Sequence, residues 1–222
     1  SVSEAVLWNK NGKKEVKANN SKLEKNKNIE KTSIFKEEDR ICGDDRIGTA
    51  VKLSKKTHRF RSKSALIVNK DKFSDALVSI PLAHQLDAPI LFTGSRDLPE
   101  ATLEEIERLK VKNVYLVGSN QSISKSVESV LSSKVEKISR FAGDDRYDTA
   151  RLVAEKVRRS GNKNTILIAS GENFSDALSI SSVATKKDAA ILLSKKDDLS
   201  KSTKKAIASW KPLQVASKVY LI

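Results

Sequence analysis

Cysteine occurs once, at Cys42, so no disulfide can close within the chain and no cysteine-rich metal site can form. Histidine is nearly as scarce. His58 and His84 stand alone, without counterparts in the repetition described below, and neither suggests a metal set or a catalytic triad. A Gly-rich phosphate loop ending in Lys-Ser/Thr, a His-Glu-x-x-His and a Gly-x-Ser-x-Gly elbow are all missing, which removes the usual signatures of P-loop enzymes, zinc proteases and α/β-hydrolases. Methionine is absent, so residue 1 is expected not to be a translation start. No apolar run approaches the roughly 20 residues a membrane-spanning helix needs, and no signal-peptide apolar segment is found. Aromatic residues make up 5% of the chain, with no RNP-like or helix-turn-helix pattern, which argues against a nucleic-acid reader.

Positive charge, by contrast, is in excess. The 222 residues carry 42 Lys+Arg against 28 Asp+Glu, a formal +14. Such a balance favours a polyanionic partner: nucleic acid, an anionic lipid surface or an acidic wall polymer. In residues 1–39 the lysines are nearly matched by Glu4, Glu15, Glu24, Glu30, Glu37, Glu38 and Asp39, so most of the excess falls beyond them.

The chain repeats itself. RICGDDRIGTA at 40–50 returns as RFAGDDRYDTA at 140–150, and FSDAL at 73–77 returns at 174–178, a period of about 100 residues. The order is kept further on, where Ala88-Pro89-Ile90-Leu91 answers to Ala189-Ala190-Ile191-Leu192 and Val114-Tyr115-Leu116 to Val219-Tyr220-Leu221. This predicts a leader over 1–39, a first repeat over 40–139 and a second over 140–222, the last stopping inside a strand as if incomplete. In the leader, Ala5-Val6-Leu7-Trp8 and Glu15-Val16 flank Asn11-Gly12, a hairpin signal, and 17–33 read as linker. From Arg40 onward short apolar strands alternate with helical patterns. Helices are expected at 45–57, 74–86, 98–109, 124–131 and 145–160, the last ending at Gly161, with strands at 64–68, 88–92, 112–117, 135–141 and 165–169 between them. All-apolar strands separated by helices imply mostly parallel sheets covered on both faces. The fold expected is α/β, a Rossmann-like module twice over.

Two motifs carry the repeat. In Arg-x-x-Gly-Asp-Asp-Arg-x-x-Thr, glycine suits a tight turn, and aspartate suits the first turn of a helix as a cap on free N–H groups. Its arginines either pin that turn or hold a carboxylate or phosphate bidentately. The loops Asn69–Leu77 and Ser170–Leu178 follow strands, the end of a parallel sheet where ligands bind. Phe73 and Phe174 in them read as core plugs. Ser74, Asp75, Ser175 and Asp176 read as caps or as hydroxyl-binding groups.

These motifs, with Ala-Pro-Ile-Leu and Val-Tyr-Leu-Val-Gly-Ser, closely resemble the cell wall binding repeat 2 family over roughly 40–222. The resemblance implies Rossmann-like (Toprim-like) modules, usually in threes, that attach exported proteins non-covalently to the walls of Gram-positive bacteria through anionic secondary polymers, as in surface-layer proteins. It therefore implies a non-catalytic, secreted anchoring module at the wall surface. Its partners would be an anionic glycopolymer and further repeats in a trimer-like arrangement, within or between chains, and it would need no cofactor or metal. Arg40, Arg46, Arg140 and Arg146 become the first candidates for polymer contact, with Ser74, Asp75, Ser175 and Asp176 second. Repeat 1 departs from the pattern with Ile47-Gly48 in place of Tyr147-Asp148 and Lys70 in place of Gly171. If that glycine admits a ligand, repeat 1 should bind differently. The rival readings are a nucleic-acid binder, drawn from the charge, and a Toprim-like phosphate enzyme using Asp44-Asp45 and Asp144-Asp145 around Mg²⁺. Adjacent acids on a helix point about 100° apart, so either pair alone is a poor chelate.

Overall fold

The computed structural model describes residues 7–8, 14–15, 40–210 and 218–221, without the side chains of 7–8, 14–15, 162–163, 174–177, 218 and 220–221. The chain divides into two compact units, Ser1–Arg40 and Ile41–Ile222. In the first, β1 (Leu7–Trp8) pairs antiparallel with β2 (Lys14–Glu15), Leu7 opposite Glu15. The Asn11-Gly12 turn expected between them, and the linker at 17–33, lie outside the described residues.

The second unit alternates helices and strands: α1 (Arg46–Thr57), β3 (Ser64–Asn69), α2 (Phe73–Leu86), β4 (Ile90–Thr93), α3 (Glu100–Arg108), β5 (Asn113–Val117), α4 (Lys125–Ser132), β6 (Lys137–Phe141), α5 (Arg146–Ser160), β7 (Asn162–Ser170), α6 (Phe174–Lys187), β8 (Ala189–Ser194), α7 (Lys201–Ser209) and β9 (Lys218–Leu221). Two parallel sheets result, ordered β4-β3-β5-β6 and β8-β7-β9. The architecture is mixed α/β in two tandem modules. β3 and β8 are buried along their whole length, which is why their sequences run apolar without alternation.

The repetition reaches single hydrogen bonds. Thr102 Oγ1 donates to the Phe92 carbonyl at 2.7 Å and Thr203 Oγ1 to the Leu193 carbonyl at 2.5 Å. Each ties a helix to the end of the strand before it. Asp87 and Asp188 close α2 and α6 with left-handed φ values of 46° and 51°, a conformation that aspartate tolerates better than most residues.

The modules are joined through α2, which packs against both α5 and α6. One apolar core therefore runs from Leu66, Val78 and Leu82 through Val153, Ala154 and Val157 to Ile166, Leu167 and Ile168 in the second sheet. At the far end of α2, Gln85 Nε2 donates to the Val157 carbonyl (3.1 Å) and to Asp188 Oδ1 (2.7 Å), while Ser160 Oγ donates to Gln85 Oε1. Gly161 does cap α5, its N–H reaching the Val157 carbonyl at 2.9 Å, but its φ of −99° needs no glycine. The reason for glycine there is space, since a Cβ would run into the Gln85 amide and the Asp188 backbone.

Candidate functional site

The Gly-Asp-Asp-Arg motif builds the same turn twice. Asp45 caps α1 by accepting from the Gly48 N–H at 2.7 Å, and Asp145 caps α5 by accepting from the Asp148 N–H at 2.8 Å. Gly43 and Gly143 donate their N–H groups to Thr49 and Thr149 Oγ1 at 3.0 and 3.1 Å. Both glycines lie so close to the backbone of the helix they precede that a Cβ would clash with it. The second aspartate and the threonine thus have local roles.

The second arginine of each motif then grips the loop after the first strand of its own sheet. Arg46 Nη1 donates to the Lys70 carbonyl at 3.0 Å and Arg146 Nη1 to the Gly171 carbonyl at 2.7 Å. The Arg46 side chain remains 70% exposed and sits 3.4 Å from Asp71. Arg140 is placed differently: it is largely buried, donating to the Gly118 carbonyl (2.9 Å) and to Glu128 (3.0 Å), a strut at the end of β6. Arg40 is exposed, in the other unit.

Gly171 and Tyr147 explain one difference between the repeats. A Cβ at Gly171 would meet the Tyr147 ring at 2.8 Å, so this glycine makes room for a tyrosine and not for a ligand. Repeat 1 has Ile47 at the tyrosine position and accommodates Lys70. Gly171→Ala should therefore cost about 1–3 kcal/mol through overpacking, and adding Tyr147→Ile should recover most of it. Urea unfolding of the two variants checks this, and a Tyr147→Ile change that gives no recovery would break the link.

The strand order β4-β3-β5 reverses direction between β3 and β5, so the loops after these two strands lie side by side at the carboxyl end of the sheet. They enclose a cleft of about 290 Å³. Lys72, Ser74 and Asp75 line it after β3, and Gly118, Ser119, Gln121 and Ser122 after β5. The remaining wall is the turn Gly143–Arg146 that opens α5. Asn69 holds the two loops together by donating to the Ser122 carbonyl at 2.6 Å and to Ser95 Oγ at 2.9 Å.

Asp75 is the distinctive group in this cleft. It is 6% exposed, and among the described residues its carboxylate accepts one long side-chain bond, from Ser74 Oγ at 3.4 Å. Burial pushes its pKa up to about 6, against the opposing pull of the Ser74 hydroxyl and of the Lys72 and Arg146 charges. Gly118 adopts φ +123°, and a Cβ there would stand 3.1 Å from Asp75 Oδ2 and crowd the Ser122 side chain. The glycine keeps the approach to the carboxylate open.

Beside the cleft, Lys72 also lines a second cavity of about 460 Å³ with Arg46, Lys70, Phe73, Phe92 and Leu178. Phe73, expected to plug the core, is instead 40% exposed on this cavity, at the first residue of α2. Phe174 begins α6 at the equivalent place. The side chains of Phe174, Ser175 and Asp176 lie outside the described residues.

His58 stands 3.6 Å from Asp87 and pairs with Thr57 Oγ1 at 2.9 Å. Among the described residues no group of three or more His, Cys, Asp or Glu is arranged to hold a metal ion, and no helix is long and apolar enough to cross a membrane.

Of the eight candidates, the structure brings Ser74, Asp75 and Arg146 to one cleft and puts Arg46 on the cavity next to it. Sequence reasoning missed Lys72, Gly118, Ser119, Gln121, Ser122 and Asp144 as lining groups. Val-Tyr-Leu-Val-Gly-Ser, which ends in Gly118-Ser119, was the available signal, and only the strand order connects it with Asp75.

Comparison with known proteins gives a consistent picture. Residues 40–128 and 140–222 each match the family described as Cell wall binding domain 2. The chain is 33% identical over 168 residues to the N-acetylmuramoyl-L-alanine amidase LytC of Bacillus subtilis, covering 76% of this chain and 33% of that protein. It is 35% identical over 161 residues to the amidase enhancer of the same organism, covering 72% of this chain and 22% of that protein. Among solved structures it superimposes on Cwp6 from Clostridium difficile with a TM-score of 0.74 at 33% identity, covering 82% of this chain and 28% of that one. The chain thus spans a third or less of the length of these relatives.

Proposed function

The chain belongs to the Cell wall binding domain 2 family, and on that premise we propose that it is a non-catalytic anchoring module. It binds an anionic secondary wall polymer of a Gram-positive bacterium and so retains an exported protein at the cell surface. The observation that carries this reading is the match of both repeats to a wall-binding family. Geometry and charge support it. Arg46, Lys70 and Lys72 surround the cavity at Phe73 with Asp71 as the one acid among its lining residues, so a phosphate or carboxylate on the polymer finds net positive charge there. Weak contacts repeated along an array gain roughly 10²–10⁴ in avidity when several engage together.

Further repeats are the proposed protein partners. In α5, which packs against α2, Val153 and Val157 are buried. The equivalent positions of α1 hold Leu53 and Thr57, and Leu53 is 50% exposed. This face of α1 is offered to the corresponding helix of another repeat, within or between chains.

Co-sedimentation with purified Gram-positive walls tests the reading. The protein should pellet with intact walls, pellet less as salt screens charges beyond a Debye length of about 8 Å at physiological ionic strength, and stay in solution once the anionic polymer is stripped. Undiminished pelleting with stripped walls would assign the ligand to another wall component. Failure to pellet at any salt would count against retention by these two repeats.

A further inference from the structure

We propose that the cleft at the carboxyl end of the first sheet is a carbohydrate subsite built jointly by two successive repeats, seating the hydroxyl-bearing face of a sugar residue rather than the polymer's anionic group. The inference rests on the wall-polymer reading only in taking the ligand to be a glycan.

Charge decides against an anion in the cleft. Asp75, Asp144 and Asp145 line it against Lys72 and Arg146. Asp145 is occupied by the Asp148 N–H, and Arg146 already commits Nη1 to the Gly171 carbonyl. A phosphate entering between Asp75 and Asp144 would face like charge, and the neighbouring cavity at Arg46, Lys70 and Lys72 offers it a better place. What the cleft leaves short of donors is the Asp75 carboxylate. A buried carboxylate costs free energy unless donors reach it, and Asp75 has one long bond from Ser74. Adjacent hydroxyls of a sugar ring supply two donors, the number a carboxylate accepts side by side. Gly118, lacking a Cβ, leaves Oδ2 accessible to them. Ser119 and Gln121 at the mouth both donate and accept, as a hydroxylated ligand requires. At about 290 Å³ the cleft is at the small end of ligand pockets, suited to one ring and not to a longer segment.

The site is composite because Asp144 and Arg146 open α5, whereas Asp75 and Ser119 follow strands of the first sheet. Lys72 lines both cavities, so a sugar in the cleft would place a neighbouring anionic substituent toward the basic cavity. Together they read a charged, hydroxylated polymer and discriminate against a bare polyanion.

Titration of the isotope-labelled whole chain, followed by the amide signals of Gly118, Ser119, Gly143 and Asp144, tests this. The probes are glucose, galactose, N-acetylglucosamine, N-acetylmannosamine and inorganic phosphate at matched ionic strength. At least one neutral sugar should shift these signals at millimolar concentration, with inorganic phosphate at least tenfold weaker. Asp75→Asn should weaken the sugar about tenfold and Asp144→Asn about threefold, the latter measuring the second repeat's share. The proposal is overturned if phosphate saturates these signals before any sugar, if no sugar moves them, or if Asp75→Asn leaves the affinity unchanged. In each of those cases persistent wall pelleting leaves the anchoring reading intact, whereas sugar binding without wall pelleting defeats anchoring alone.

Discussion

Asp75→Asn should make the protein more stable at pH 7.5, by about 2–3 kcal/mol, or roughly 4–12 °C in Tm. The folded carboxyl has its pKa raised by burial from 3.8 to about 6. In the unfolded chain it ionises near its ordinary value, so between those two pH values the unfolded state sheds a proton that the folded state keeps. The stability associated with the protonated form is thus fully present below about pH 4 and is lost as pH rises through about 6. Asparagine cannot ionise and escapes that loss. Wild type and variant should therefore converge below pH 4, diverge between about pH 4 and 6 and keep a constant difference above that, with urea unfolding across this range as the measurement. Equal stability at pH 7.5 would mean that the folded protein already satisfies the carboxylate, and the case for a ligand there would lose its strongest support. A buried acid in a cleft that destabilises the fold is a candidate for a functional group. The variant is expected to gain stability and lose sugar affinity together, a combination that a merely structural aspartate would not give.

The fold was legible because each element has a local cause. Apolar runs such as Ala65–Val68 and Ala190–Leu193 become buried parallel strands, and the capping aspartates Asp45 and Asp145 start helices where the motif places them. The site was legible only in part, because its halves meet through strand order. Asp75 and Gly118 are distant in sequence and adjacent across β3 and β5, and the turn at Gly143 arrives from the next repeat. Arg140 shows the opposite limit. Its motif position matches Arg40, but the Gly118 carbonyl and Glu128 that bind it lie in loops and helices no spacing rule connects. Gly171 is similar, since its reason is the ring of Tyr147, on a different element.

Arg108→Ala should cost about 3 kcal/mol. Glu105 on α3 has no exposed side-chain surface, and Arg108 clamps it with two 2.7 Å bonds while also donating to the carbonyls of His58 and Arg59. Ser54 of α1 donates to the same carboxylate at 2.5 Å. Removing the arginine leaves a buried charge with the serine hydroxyl as its remaining side-chain partner and frees two loop carbonyls. The expected cost stays at the low end for a broken buried pair because the Arg108 side chain is about one-third exposed. The second repeat indicates how the loss can be recovered. It places Ala154, Ala206 and Ser209 where the first has Ser54, Glu105 and Arg108, and it buries both alanines completely or nearly so. An apolar version of the joint is therefore compatible with the fold. Ser54→Ala/Glu105→Leu/Arg108→Leu should return to within about 1.5 kcal/mol of wild type by urea unfolding, since a buried ion pair exchanged for packed apolar groups is often neutral. A triple variant as unstable as Arg108→Ala would mean that the clamp on the His58 and Arg59 carbonyls, rather than relief of the buried charge, holds α1 to α3. A loss under about 1 kcal/mol for Arg108→Ala would mean that Glu105 finds solvent or a proton when its partner leaves, and that the pair sets the geometry of the joint without holding it together.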